Sequence, residues 1–243
     1  MDWPGWTRAI GWPDALALGF FVLAWAAYEP LIRRLRLRGG VILTDMAEIR
    51  EAWMGEMTRR EMRLIDSQLM GHAINSASFF ASANLIVIAA AMGALVGGER
   101  ALGAVRDLPL LAEAPRALLE AKLALVVLAL GRGLLDFIWS IRQMNYCLAL
   151  FGATPPHESE PAILKVFAQA AADVLNPALS SFSAGVRGYY FALAAGAWLF
   201  GPLAFAAATA GAVTLLVWRQ SSSPAARATH RIRELIEPTS DRS

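Results

Sequence analysis

Four stretches of the chain are nearly continuous in Ala, Leu, Val, Phe and Gly: Ala15–Tyr28, Ala77–Val96, Leu123–Leu150 and Tyr189–Trp218. A hydrocarbon core about 30 Å thick takes roughly 20 such residues per helical crossing, so the pattern predicts an integral membrane protein. The fold class it implies is all-α, a polytopic transmembrane helix bundle with amphipathic cytoplasmic helices.

The first span is expected over about 12–32, with Trp3, Trp6 and Trp12 before it as interfacial anchors. Arg33, Arg34, Arg36 and Arg38 follow it, and the positive-inside rule places them in the cytoplasm. The preceding tail carries only Arg8 as a base, so the N-terminus is expected outside. Without a basic n-region or a small-residue cleavage site, this first apolar run is expected to stay as a span. Spans over about 70–96 and 117–150 follow. The loop between them mixes Glu99, Arg100, Arg106, Asp107 and Glu113, which suits the outer side.

The last apolar stretch admits two readings. As one kinked span it gives four crossings. Gly201-Pro202 lies in its middle, however, and that pair is a strong break signal. Broken there, it gives spans over 179–200 and 202–220, the second opening with Pro at the favoured first helical position. The five-span reading returns Arg219, Arg227, Arg231, Arg233 and Arg242 to the cytoplasm and is preferred.

Between spans, the pattern turns amphipathic. Thr44 is placed to cap a helix with Met46, Ile49, Trp53, Met57 and Leu64 on one face, and Glu48, Arg50, Glu51, Arg59 and Arg60 mostly on the others. A second surface helix is expected over 161–175, with Ile163, Phe167, Ala170 and Val174 on one stripe. Residues 221–243 form a polar cytoplasmic tail with a short helix at Ala226–Ile236.

Composition sharpens this only slightly. Hydrophobic residues make up 56% of the 243 and mean hydropathy is +0.44, leaving no room for a soluble domain of ordinary size. A net charge of +2 gives no case for nucleic acid as a partner. Lys122 and Lys165 are the only lysines against many arginines, a bias that fits a GC-rich bacterial genome and a bacterial inner membrane. One cysteine, Cys147, excludes an internal disulfide and any multi-Cys metal site.

Charge inside the apolar runs is the functional signal, because a bare charge at a span centre costs ~2.5–3.5 kcal/mol or more. Arg132, Asp136, Ser140 and Gln143 share one face of the third span, the first two one turn apart and able to pair. Arg142 and Asn145 continue that polarity. Asn75 and Asn84 stand in the second span, with Ser76, Ser78 and Ser82, and Arg187 in the fourth. Such residues either line a hydrated pathway or bind helices together at about 0.6–2 kcal/mol per hydrogen bond. For the serines of the second span the packing reading leads; for Arg132, Asp136 and Arg187 the two balance.

Enzyme chemistry has little footing. His72, His157 and His230 are scattered, and no phosphate loop, HExxH or GxSxG occurs. No cofactor is expected. Gly131-x-Gly133 reads as close helix packing, and Cys147 as a small buried hydrophobe.

The string Phe137-Ile-Trp-Ser-Ile-Arg-Gln-Met-Asn-Tyr146 resembles the FxxSIRxxN-type core of the membrane family catalogued as domain of unknown function 599. Gly185-Val-Arg-Gly-Tyr-Tyr-Phe191, Trp198-Leu-Phe-Gly-Pro202 and the run from Asn75 to Ala94 are similar to it too. The resemblance spans most of the chain. It implies a multi-span protein of bacteria and plants, usually drawn with four spans, and no established activity. The leading expectation is a small channel or transporter for an ion or anionic solute, since Arg132, Arg142 and Arg187 outnumber Asp136. It is expected to self-associate, because one protomer has little room for a pore. The alternative is a non-transporting scaffold that holds another membrane complex through its cytoplasmic helices.

Overall fold

The structure is a computed structural model that describes residues 11–39, 41–98, 103 and 114–236, with no strand among them. Its helices are α1 (Trp12–Gly39), α2 (Ile42–Arg59), α3 (Leu64–Val96), α4 (Arg116–Gly152), α5 (Pro161–Ala197), α6 (Pro202–Ser221) and α7 (Pro224–Ile236). Five of them, α1, α3, α4, α5 and α6, are long and apolar enough to cross a membrane. Trp3, Trp6, Arg8, the loop charges Glu99, Arg100, Arg106, Asp107 and Glu113, and Arg242 lie outside the described residues. So do the side chains of Arg33, Arg36 and Arg38.

Local chemistry sets the helix ends. Asp14 stands in the first turn of α1, where a carboxylate meets the positive end of the helix dipole. A 3-10 turn, Trp198–Phe200, closes α5, and Gly201 at φ 114° reverses the chain. Only glycine adopts that conformation without strain. Pro202 then opens α6, so the break expected at Gly201-Pro202 is present. Ser223 Oγ accepts the Ala226 N–H (3.1 Å), and Pro224 occupies the first position of α7, which covers the short tail helix expected from the sequence.

Three expectations need correction. Thr44 does not cap α2: the cap is Val41, in extended conformation and without a side-chain bond, and the N–H groups of Thr44 and Asp45 turn back to its carbonyl. Leu64 does not continue α2, because Arg60 is extended and ends it; Leu64 opens α3. The surface helix over 161–175 and the span from 179 are one helix, α5, with Pro177 inside it. Proline removes a single N–H donor there, and the Asn176 side chain before it is engaged by Arg50 and Ala47 O rather than by a turn.

The chain divides into two compact units. The first takes its described residues from Met1–Leu31, Ala81–Leu135 and Gly185–Leu216. It is organised around aromatic rings: Phe21 meets Trp25, Phe191 and Phe205, and Trp198 stacks on Phe205 at 4.9 Å between centroids. The second unit draws on Ile32–Phe80, Asp136–Ala184 and Val217–Ser243. Its core is sulfur-rich, with Met54, Met57, Met70, Met144 and Cys147 packed against Phe151 and Leu175. Phe80, Phe137 and Phe182 form a second aromatic knot within it. There α7 packs against α2.

Candidate functional site

In the first unit, α4 and α5 approach backbone to backbone. A Cβ on Gly188 would stand 3.0 Å from Gly133 Cα, and one on Gly133 would stand 3.2 Å from Gly185 O. Gly133 therefore has the packing role expected of it, whereas nothing lies within 4 Å of a Cβ on Gly131. Beside this crossing, Asn84 is fully buried and its Nδ2 donates to Leu130 O at 2.9 Å. That bond ties α3 to a carbonyl of α4, and Asn84 Oδ1 is buried with no hydrogen-bond partner.

Arg187 projects from α5 with its Nη2 3.5 Å from Glu29 Oε2 and its guanidinium 5.6 Å over the Tyr28 ring. An acidic partner and a π face both lower the cost of holding this charge away from water. Elsewhere in the unit, Trp198 Nε1 donates to Asp14 Oδ1 at 2.7 Å. Lys122, almost fully buried, lies over the same indole at 5.8 Å. Glu29, Asp14 and Lys122 are further charges within or beside apolar windows, not among the expected site residues.

In the second unit, Ser140 Oγ donates to Ala178 O (2.7 Å) and Ser181 Oγ to Gln143 Oε1 (3.4 Å), so two expected site residues bind α4 to α5. Arg142 and Asn145 are exposed, Arg142 reaching Tyr146 Oη at 3.2 Å, and Asn75 is exposed on α3. Asp136 is half-buried, and Arg132, in the first unit, is exposed. Of the nine expected residues, Asn84, Ser140, Gln143 and Arg187 make ties between helices, Arg132, Arg142 and Asn145 are exposed on α4, Asn75 is exposed on α3, and Asp136 is half-buried.

A second polar system in this unit lies outside the apolar runs. Arg50, expected at a solvated face, is buried, and its Nη1 reaches Asn176 Oδ1 at 3.4 Å while Asn176 Nδ2 donates to Ala47 O. Burial holds the Arg50 guanidinium below its ordinary pKa. Fully buried Asp66 accepts from Trp53 Nε1 (2.7 Å) and from Arg60. Arg63 donates to the carbonyls of Met57, Thr58, Thr154 and Pro155. Asp45, 2% exposed, is met from α7 by His230 and Arg233, each at 3.6 Å. These charges fix α2 and α7 in place. No group of three or more His, Cys, Asp or Glu placed to hold a metal occurs among the described residues.

Five long apolar helices, of which α3, α4 and α5 are joined by buried asparagine and serine bonds and by glycine contact, define a multi-pass integral membrane protein. The chain belongs to the family described as "Protein of unknown function, DUF599", whose model matches residues 16–225. No curated protein and no solved structure matches it.

Proposed function

We propose that the protein is a small homo-oligomeric channel or transporter of the bacterial inner membrane, carrying an anion or anionic solute. The observation that supports this is the exposure of Arg132, Arg142 and Asn145 on α4, a helix otherwise apolar enough to span. Guanidinium groups facing hydrocarbon are costly, so an outward face of this kind fits water or a second protomer better than lipid. Around an axis shared by several copies, these faces form a polar lining with an excess of positive charge.

The scaffold reading draws on a different feature. On α7, Ile232 and Leu235 are exposed although the opposite side of the helix is held to α2, which leaves an apolar stripe for another complex.

Flux separates the two. Purified protein in liposomes is expected to release trapped chloride or phosphate, and Arg132→Gln to slow that release. Vesicles that stay tight to every ion and small solute across the pH range exclude transport and leave the scaffold.

A further inference from the structure

A groove of about 710 Å³ opens on the first unit, and we infer that it is a phospholipid site that takes one acyl chain, with the lipid phosphate at Arg116. The volume falls in the range of about 300–1,000 Å³ typical of small-molecule sites. One side follows α4 from Ala117 to Leu128 through Ala121 and Ala124, and Leu18, Leu95 and Trp198 supply the other.

Length argues for the occupant. The eleven helical steps from Ala117 to Leu128 rise about 16 Å, close to the ~15 Å of hydrocarbon in one leaflet. Polarity is graded along the same line. At the Ala117 end, Glu120 lines the groove and pairs with Arg116 at 2.8 Å, both side chains substantially exposed. Beyond that turn the α4 lining is Ala and Leu only. A polar mouth at the start of the helix and an apolar slot one leaflet long match a headgroup and its chain. Arg116 offers the phosphate a forked cation, whose remaining N–H donors bind it in competition with the Glu120 carboxylate. A helix from a second copy would bury the Arg116–Glu120 pair and gain nothing from it, which favours lipid.

The test uses the full-length protein in vesicles of phosphatidylethanolamine and phosphatidylglycerol with a trace of phospholipid bearing a mid-chain diazirine. After photolysis, label is expected to concentrate on residues 117–128, above that on exposed Leu85 and Ile86 of α3. Ala124→Trp fills the slot, and label there is expected to fall about tenfold while Leu85 and Ile86 keep theirs. Ala121→Leu, a milder filling, is expected to act in the same direction if Ala124→Trp does not fold. Arg116→Gln is expected to reduce the preference for phosphatidylglycerol over phosphatidylcholine in competition. Label no denser at 117–128 than at Leu85, or unchanged by both fillings, overturns the site. A protomer-to-protomer cross-link through these residues does so too, by assigning the groove to a second copy.

Discussion

At the scale of single residues, the glycine pair and the buried arginine make opposite predictions. Gly188→Ala forces a methyl against Gly133 Cα at 3.0 Å, and overpacking of that kind costs about 1–3 kcal/mol. The melting temperature of the detergent-extracted protein should fall accordingly, while Gly131→Ala, with open space around it, should leave it unchanged or raise it. Arg50→Met should be neutral or stabilising by about 1 kcal/mol, because it exchanges a desolvated cation with one neutral side-chain acceptor for an apolar side chain of similar length. A clear loss of stability there would show that the charge has a partner of greater weight than Asn176. Gly133 and the polar residues of the apolar runs were legible in the sequence. Arg50, Asp45 and Asp66 were not: hydrophobic periodicity places charge outside by default, and no local pattern announces the distant asparagine, indole or tail-helix bases that make their burial tolerable.

At the scale of helices, breaks were legible where two signals coincided. Gly201-Pro202 combines a residue that tolerates positive φ with one suited to a first helical turn, and the chain reverses there. Gly201→Ala should therefore cost about 1–3 kcal/mol, measured as an earlier thermal transition, and Pro202→Ala much less. Pro177 stands alone and the helix runs through it, and Thr44 had a capping side chain but not the place in the chain to use it. The docking of α7 was invisible in sequence because its basis is a carboxylate more than 180 residues earlier. Asp45→Ala removes that acceptor and should release about 1–3 kcal/mol of local stability. Faster deuterium uptake across Pro224–Ile236, with the methionine core unchanged, is the expected outcome. Uptake equal to the parent protein would mean that apolar contact and the Arg233–Glu48 pair at 3.6 Å hold α7 without Asp45.

For the whole molecule, the expected topology has the N-terminus outside and the C-terminus in the cytoplasm. A reporter active only in the cytoplasm should work when fused after Ser243, and one active only outside should fail. The opposite result would conflict with five crossings from an outside start. Transport requires that the exposed charged residues of α4 meet water. This is tested most directly by thiol accessibility in sealed vesicles, on a Cys147→Ala background. With Arg132→Cys and Arg142→Cys, a membrane-impermeant thiol reagent is expected to react at both positions and to block anion release, while Ile86→Cys on α3 stays unreactive. Arg132→Cys and Arg142→Cys both as inert as Ile86→Cys would contradict the account, leaving α4's arginines as contacts between helices or protomers.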